Sequence, residues 1–341
     1  MWTVKTKLDF LKGKTMLVTG GTGSFGKNFI RLLADKSKLK KIIVFSRDEL
    51  KQSVMQAEFK NDPRLRFFLG DVRDSRRLER AFHGVDIVVH AAALKQVPAL
   101  EYNPFEAVQT NILGTQNVLD AAINTGVKKL LLISSDKAAH PVNLYGATKL
   151  CAERLVVAGN AYSDGVTQSS CVRYGNVVGS RGSIVDVLLR NKHKKEVYIT
   201  DERMTRFWLG LEDAFDLVLF ALGKMEGGEI FIPKAPSMTV KDLFENIVPN
   251  AKRKTIGIRP GEKLHEILLT RDEARHSVDL GDYYVVLPEH ETAPNQTKMK
   301  KYHATGKKVH PEFSFESHTN TKKLSNKDLM AIVEKMAKIL E

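Results

Sequence analysis

The fold is decided by residues 16–26, which read Met-Leu-Val-Thr-Gly-Gly-Thr-Gly-Ser-Phe-Gly. A strand-like apolar run opens the stretch, and a helical pattern over 28–33 follows its last glycine. Between them, Gly20 permits a tight turn, Gly23 lets the backbone approach a pyrophosphate, and Gly26 lets helix and strand pack closely. The first N–H groups of the helix then favour an anion, so the turn predicts a site for dinucleotide phosphates.

We assign the cofactor contacts of this turn to Gly20, Thr22, Gly23, Ser24, Phe25 and Gly26. A glycine triad alone is a weak signal, and an ordinary glycine-rich turn is the alternative interpretation. The position of the triad between a strand and a helix favours the dinucleotide site.

Short apolar runs alternate with longer amphipathic stretches through the first two-thirds of the chain. The strand-like runs cover residues 16–19, 41–45, 65–69, 85–90 and 129–134. Fully apolar strands separated by helical segments are typical of a parallel sheet covered on both faces. The sequence therefore predicts an α/β fold with a doubly wound parallel sheet of the Rossmann type.

The alternation loosens after about residue 175. We predict a nucleotide-binding Rossmann domain over 1–175, to which some later segments return, and a smaller C-terminal part over 176–341. That second part is expected to bind the substrate at the carboxyl edge of the sheet, and it includes a C-terminal tail. Helical spacing reappears over 327–340.

Composition excludes several classes of protein. The 341 residues are 43% hydrophobic, and 53 basic against 40 acidic side chains give a formal charge of +13. The basic residues are scattered among acids without a nucleic-acid motif, so we expect no nucleic-acid partner. The two cysteines are expected to be free thiols, and without metal-ligand spacing in the sequence we expect no metal. No apolar run reaches about 18 residues, which predicts no membrane span. With no signal peptide indicated, we expect a cytoplasmic location.

The segment after the second strand bears on the choice of cofactor. Ser46 and Arg47 stand at the strand tip, and Lys51 follows one turn later. These side chains suit the 2′-phosphate of NADP, whereas a carboxylate there would bind the ribose of NAD. Asp48 is adjacent, so NAD stays open as the alternative, and we favour NADP. After the third strand, Asp71 and Val72 are predicted to contact the adenine, with Asp74 as the better candidate for a helix cap.

A group of reactive side chains follows the fifth strand. It begins directly after the strand with Ser135, Asp136 and Lys137. Tyr145 and Lys149 come a few residues later. Residues four apart share one face of a helix. A tyrosine has a pKa near ~10, so we expect the Lys149 cation and an oxidised nicotinamide to lower the pKa of Tyr145 and make it a base. Ser135 can hydrogen-bond the same substrate hydroxyl.

At this point the sequence resembles the extended short-chain dehydrogenase/reductases, and within them the configuration-inverting UDP-N-acetylglucosamine 4,6-dehydratases that start pseudaminic acid biosynthesis. The resemblance runs from about residue 13 to 285 and rests on six segments, 20–26, 46–52, 90–95, 173–177, 204–208 and 258–266.

The resemblance implies a role for each catalytic residue. Tyr145 deprotonates the 4-hydroxyl while NADP takes the hydride from C4, and Lys149 holds the nicotinamide ribose. Lys137 removes the C5 proton, Asp136 protonates the departing 6-hydroxyl, and the hydride returns at C6. Retaining relatives carry Asp-Glu in place of Asp136-Lys137.

A lysine must be neutral to act as a base. We therefore expect burial beside Lys149 and the nicotinamide to lower the pKa of Lys137 well below ~10.4. A surface ion pair, or an Asp136 that merely caps a helix, is the alternative for this pair.

Further contacts are implied by the resemblance. Ala91 and Lys95 follow the fourth strand, and Lys95 touches both cofactor and sugar unless it is a solvated loop lysine. The remaining predicted substrate contacts are Asn176, Arg206, Arg259 and Glu262. The arginines are expected on the diphosphate and Glu262 on the ribose; alternatively Arg259 and Glu262 pair with each other.

Two rival functions stay open. A UDP-hexose 4-epimerase would use Tyr145 and Lys149 but has no need of a second acid–base pair such as Asp136 and Lys137. A catalytically silent NADP-binding regulator would keep the glycine turn, but such proteins commonly lose the tyrosine or lysine. The resemblance also implies a homo-oligomer with UDP-N-acetylglucosamine as its small-molecule partner.

Overall fold

The structure is a computed structural model that describes residues 8–60, 62–179, 183–191, 193–289 and 300–340, with side chains described up to 335 within the last helix. Strands β1 to β6 and β10 form the parallel body of one large sheet. Their bounds are β1 Thr15–Thr19, β2 Lys41–Ser46, β3 Leu65–Leu69, β4 Ile87–His90, β5 Lys129–Ile133, β6 Gln168–Val172 and β10 Ile230–Pro233.

The order of the strands in this sheet is the one expected of a doubly wound nucleotide-binding fold. From one edge it runs β3, β2, β1, β4, β5, β6 and β10, and it continues through the antiparallel strands β15 (Tyr283–Val286), β14 (Ser277–Asp279) and β16 (Lys307–Lys308). β1 and β4 are parallel neighbours, and the order in which the chain adds strands to the sheet changes side between them. Ligands of such folds bind outside the carboxyl ends of the strands at this switch point. The predicted α/β class and parallel sheet are confirmed.

Helices cover both faces of the sheet. In chain order they are α1 Ser24–Lys36, α2 Glu49–Glu58, α3 Ser75–Phe82, α4 Val97–Tyr102, α5 Pro104–Ala107, α6 Gly114–Asn124, α7 Leu144–Tyr162, α8 Ile184–Arg190, α9 Leu211–Lys224, α10 Val240–Ile247, α11 Arg271–Ala274 and α12 Asn326–Leu340. A π-helical stretch, Val108–Leu113, joins α5 to α6, and 3₁₀ turns lie at Asp9–Leu11 and Asp136–Ala138.

The strands are apolar because both of their faces are buried. All five residues of β1 are buried, and the side chains of β2, β4 and β5 form cores with α1 and α9 on one face and α3 and α6 on the other. Such burial stabilises the fold by roughly 25 cal/mol per Å² of apolar surface removed from water.

A second group of elements lies at the carboxyl end of the sheet. It contains the small sheets β11–β9–β7, β12–β8 and β13–β17. Their bounds are β7 Asn176–Val177, β8 Glu196–Ile199, β9 Thr205–Leu209, β11 Ser237–Thr239, β12 Lys252–Thr255, β13 Ile267–Leu269 and β17 Phe315–Glu316. Trp208, Met238 and Leu243 belong to its separate core. The predicted division near residue 175 stays a prediction, since β10, β14, β15 and β16 belong to the large sheet.

Candidate active site

The turn between β1 and α1 is shaped by its glycines. Gly20 has a φ of +64°, and a Cβ there would lie 2.9 Å from backbone atoms of Ala92. A Cβ on Gly26 would lie 2.6 Å from the carbonyl oxygen of Gly20. Helix α1 begins at Ser24 with Gly23 as its N-cap. These contacts require glycine, and the open helix start fits a pyrophosphate, so the residues present fit a bound dinucleotide.

The tip of β2 carries the side chains predicted to choose the cofactor. Asp48 caps α2 by accepting the backbone N–H of Lys51 at 2.9 Å, and the Lys51 ammonium donates to the same carboxylate. Ser46 is buried, and its hydroxyl accepts from Gln52 at 3.0 Å. Arg47 is 52% exposed at the tip. The Asp48 carboxylate is therefore occupied by the helix cap, and Arg47 faces the solvent at the cofactor edge.

Asp71, after β3, is bound by two arginines. Its carboxylate accepts from Arg73 at 2.9 Å and lies 3.5 Å from Arg47. Burial raises the pKa of Asp71, but the arginines outweigh this and the net pKa is lowered. Val72 is buried beside it, and Asp74 caps α3 through the N–H of Arg77, which confirms Asp74 as the cap. The predicted contacts of Asp71 and Val72 with adenine stay predictions.

The turn after β5 delivers the reactive side chains. The hydroxyl of Ser135 donates to Asp136 Oδ1 at 2.8 Å, and the Lys137 ammonium donates to the same oxygen at 3.1 Å. The Asp136 side chain is 1% exposed, and its second oxygen, Oδ2, has no hydrogen-bond partner in the described residues. A buried acid with an unsatisfied oxygen is unlike a surface ion pair, so that alternative is wrong for Asp136.

Helix α7 brings Tyr145 to this turn. Asn143 caps the helix by accepting the N–H of Gly146 at 2.7 Å. A Cβ on Gly146 would overlap the carbonyl oxygen of Lys137, so glycine at this position is what allows the helix to pack on the turn. One turn further along α7, the buried Lys149 ammonium donates to the carbonyl of Ile133 at 2.7 Å.

The electrostatics around Tyr145 differ from the expectation. Burial raises the pKa of Tyr145, and the cation that opposes this is Lys137, aided by a hydrogen bond with Ser135. The predicted lowering of the Tyr145 pKa by Lys149 is therefore wrong in this state. Lys149 is instead desolvated, and burial lowers its pKa to about 8.

The pKa expected for Lys137 is also wrong. Burial does favour the neutral amine, but the carboxylates of Asp136 and Glu266 outweigh it and raise the pKa of Lys137 above its ordinary value. The Lys137 ammonium lies 3.5 Å from Glu266 Oε1, in addition to its contact with Asp136. Burial, by contrast, raises the pKa of Asp136 and outweighs the lowering effect of Lys137. The structure thus holds a lysine cation beside an acid that binds a proton readily.

A cavity of about 230 Å³ opens in front of Lys137. Its lining includes Lys137, Asn176, Arg206, Arg259 and Glu262, the residues predicted for base and substrate binding. Asn176 Oδ1 and Glu262 Oε2 are buried without hydrogen-bond partners in the described part of the chain. An adjoining cavity of about 440 Å³ shares Arg259 and Glu262. Unsatisfied acceptors in a concave site fit a polar ligand.

The predicted substrate residues make different contacts within the protein. Arg206 donates to the backbone carbonyls of Thr205, Lys263 and Leu264 at 2.8–3.1 Å, which ties β9 to the segment before β13. Arg259 is exposed, and its nearest approach to Glu262 is 4.0 Å. Their pairing is long, so both side chains are available to a ligand.

Lys95 lies in the loop after β4. Desolvation lowers its pKa, and the charge of Lys137 adds to this effect. Among the described residues that line the 230 Å³ cavity, Lys137 represents the catalytic turn, and Tyr145, Lys149, Ala91 and the glycine turn are not included.

Three features of the site escaped the sequence analysis. The first is the contact of Glu266 with Lys137 and with Lys263. In the sequence, the Lys-x-x-Glu spacing of residues 263 and 266, just before a short apolar strand, was the pattern that could have indicated these two residues. The second is Gly146, whose close packing could not be predicted because a glycine within a helix can have several structural reasons. Arg173 is fully buried between the carboxylates of Glu153 and Glu273, at 2.6 and 2.7 Å.

The fold and the site together define an enzyme of the short-chain dehydrogenase/reductase type, with Ser135 on the turn after β5 and Tyr145 and Lys149 on α7. The family model described as polysaccharide biosynthesis protein matches residues 16–288, and the chain belongs to this family. The predicted family resemblance is confirmed.

Relatives of known name extend over almost the whole chain. It is 48% identical to a UDP-N-acetylglucosamine 4,6-dehydratase (inverting) of Campylobacter jejuni serotype O:2, over 94% of this chain and 97% of that protein. It is 41% identical to a UDP-glucose 4-epimerase of Rickettsia rickettsii, over 94% and 95%. Among solved structures, Pen from Bacillus thuringiensis superposes with a TM-score of 0.86 at 36% identity, covering 96% of this chain and 99% of Pen.

No helix in the described ranges has both the length and the apolar character that crossing a membrane would require.

Proposed function

We propose that the chain is an inverting UDP-N-acetylglucosamine 4,6-dehydratase, a hydro-lyase that works with NADP. The product is UDP-2-acetamido-2,6-dideoxy-β-L-arabino-hex-4-ulose. The observation that carries the proposal is the ion pair between the buried Asp136 and the partly exposed Lys137, 3.1 Å apart. Lys137 lies on the wall of a cavity, and both charges act on Tyr145. The relative from Campylobacter jejuni, 48% identical, bears the name of this activity.

Tyr145 is the base for the 4-hydroxyl of the sugar. It is half-buried at the start of α7, and the Lys137 charge favours its phenolate. Bound at the glycine turn, NADP would supply the acceptor for the C4 hydride and the donor that delivers it to C6. Lys149, held by the Ile133 carbonyl, is placed one helical turn from Tyr145 to contact the nicotinamide ribose.

The Asp136–Lys137 pair eliminates water from C5 and C6 of the 4-ketone. The pair needs a neutral amine to take the C5 proton and a protonated acid to release the 6-hydroxyl as water. Transfer of one proton from Lys137 to Asp136 across 3.1 Å creates both forms without a change in net charge. Burial penalises the charges of both groups and favours that transfer, whereas the carboxylates of Asp136 and Glu266 raise the pKa of Lys137 and oppose it.

The remaining assignments follow the positions of the side chains. Asn176, Arg206, Arg259 and Glu262 line the cavity and are assigned to the sugar and the uridine diphosphate. Lys95, whose pKa desolvation and the charge of Lys137 both lower, is assigned to both cofactor and sugar. Arg47 is assigned to the 2′-phosphate of NADP, because it is exposed while Asp48 is engaged as a helix cap.

Incubation with UDP-N-acetylglucosamine in deuterated water tests the proposal by NMR. The expected product is a 4-keto-6-deoxy sugar of L-arabino configuration with deuterium at C5. Absence of that sugar from the product of the folded enzyme would contradict the proposal.

A UDP-hexose 4-epimerase is the second candidate, favoured by the 41% identity to a protein named UDP-glucose 4-epimerase. It predicts a gluco/galacto mixture without deuterium at C5 in the same experiment. No turnover at all would favour the silent regulator. A role in pseudaminic acid biosynthesis, a cytoplasmic location and a homo-oligomeric state belong to the proposal as well.

A further inference from the structure

Glu266 is a buried carboxylate that none of the steps above uses. It is 3% exposed and stands directly before β13. Its backbone N–H donates to the Ser317 hydroxyl at 2.9 Å, and its carbonyl accepts the Ser317 N–H at 2.9 Å. The backbone of Glu266 is therefore fixed on both sides by one residue of the C-terminal part.

The side chain of Glu266 points at the catalytic turn. Oε1 lies 3.5 Å from the Lys137 ammonium and 3.8 Å from Arg206 Nε, and Oε2 lies 3.7 Å from the Lys263 ammonium. Oε2 has no hydrogen-bond partner among the described residues. Cations thus keep Glu266 ionised, and they lower its pKa although burial opposes this.

Charged and titratable groups face the Asp136–Lys137 pair from several elements. In the part of the chain that the structure describes, they are Lys95 after β4, Tyr145 of α7, Arg206 of β9, and Lys263 and Glu266 before β13. Glu266 is the one carboxylate in that set. Glu262 lines the same cavity, but in the described ranges its ion pair is with Arg259, whereas Glu266 pairs with Lys137 itself.

We propose that Glu266 is a positioning residue for proton transfer at C5: its carboxylate holds the Lys137 amine against Asp136 and sets the pH range in which the pair keeps one shared proton. This inference rests on the dehydratase function proposed above.

The sign of the effect follows from the charge. A negative charge near both groups stabilises the protonated form of each, and Glu266 raises the pKa of Asp136 and that of Lys137. Because the two groups share a proton, the titration belongs to the pair, and both of its steps move together. Loss of the Glu266 charge moves them to lower pH.

The first test measures the dehydration rate of Glu266→Gln as a function of pH and locates the acid limb of that profile. We expect the limb to move to lower pH by about one unit, as for removal of a charge within 4–6 Å. Glu266→Asp keeps the charge and is expected to return the limb toward its wild-type position, even if kcat is lower. Glu212→Gln, at a surface pair with Lys335, is the matched control and should leave the profile unchanged.

Lys263→Met is expected to shift the pH profile in the opposite direction. This variant removes a cation that faces Asp136 and Glu266, so the acid limb is expected to move to higher pH. Opposite shifts from neighbouring residues are not expected of a merely structural role. A folded Glu266→Gln enzyme with the wild-type profile would overturn the inference.

A measurement without turnover separates this inference from the proposed function. Protein labelled with ¹³C at aspartate carboxyls is titrated by NMR, and the Asp136 signal is assigned by its loss in Asp136→Asn. We expect a lower titration midpoint for Asp136 in Glu266→Gln than in the wild type. An unchanged midpoint overturns the role of Glu266, whereas failure of the wild type to form the 4-keto-6-deoxy sugar overturns only the dehydratase function.

Discussion

Gly146 of α7 packs on the carbonyl oxygen of Lys137 so closely that no side chain fits between them. The helix that carries Tyr145 is thereby held directly against the turn that carries Lys137. The distance between the two bases of the proposed reaction depends on this contact.

Gly146→Ala is expected to push α7 away from the catalytic turn. Overpacking of this kind costs about 1–3 kcal/mol of stability, and a displacement near 1 Å reduces turnover on the order of 10²-fold. Thermal unfolding and the dehydration rate are the measurements. Cys151→Ala, on the exposed side of the same helix, should change neither, and wild-type turnover in Gly146→Ala would show that the contact is dispensable.

Lys137→Ala and Lys137→Arg are expected to abolish exchange at C5 and formation of the 4-keto-6-deoxy sugar. The arginine keeps the cation beside Asp136 and Glu266 but cannot lose a proton at working pH. The pair of variants therefore separates the base from the ion pair. Unchanged binding of NADP, measured by calorimetry, is the control for folding, and an active Lys137→Arg enzyme would remove Lys137 from its assigned role.

Arg47→Ala is expected to weaken binding of NADP by roughly 10- to 150-fold, since a charge-assisted hydrogen bond contributes about 1.5–3 kcal/mol. Binding of NAD should change much less, because NAD lacks the 2′-phosphate that Arg47 is assigned to bind. Titration calorimetry with both dinucleotides is the measurement, and Arg76→Ala on the exposed part of α3 is the control. Equal losses for NAD and NADP would contradict the assignment.

The buried ion pairs of Arg173 predict a dependence of stability on pH. Burial opposes ionisation of Glu273, but Arg173 dominates and lowers its pKa from 4.5 to about 2. A carboxylate with a lowered pKa stabilises the fold above its unfolded-state value, and this contribution is lost as pH falls through the folded-state value. The free energy of unfolding should therefore decrease between about pH 4.5 and 2.

Glu273→Gln tests that dependence. The variant should be less stable at pH 7, by about 3–5 kcal/mol if Arg173 is left with too little negative charge, and its loss of stability over the acid range should be smaller. Denaturant unfolding at several pH values is the measurement. A variant with the acid dependence of the wild type would rule out Glu273 as its source.

Local patterns in the sequence predicted the parts of this molecule that depend on local physics. The glycine turn after β1, the Asp74 cap and the Tyr145–Lys149 helix face all follow from spacing along one segment. The family and the sheet, now confirmed, rest on the same kind of pattern. The functional assignments of individual residues stay predictions.

The expectations that are wrong concern charges brought together by tertiary structure. Lys137 was expected to be near Lys149, yet its determining neighbours are Asp136 and Glu266, the latter from the C-terminal part. Periodicity along the chain carries no information about such a contact. The same reason explains why Glu266 and the partners of Arg173 were not assigned a place in the site.

The Arg173 contacts have a consequence for protein engineering. The guanidinium of Arg173, which directly follows β6, donates to the carboxylate of Glu153 on α7. It also donates to the carboxylate of Glu273, which lies 100 residues further along the chain. A chimaera that takes its second half from a relative must have an acidic residue at the position of Glu273. Otherwise the Arg173 cation is buried with one of its two carboxylate partners missing. Recombination between members of this family is thus constrained by one buried side chain that joins distant parts of the chain.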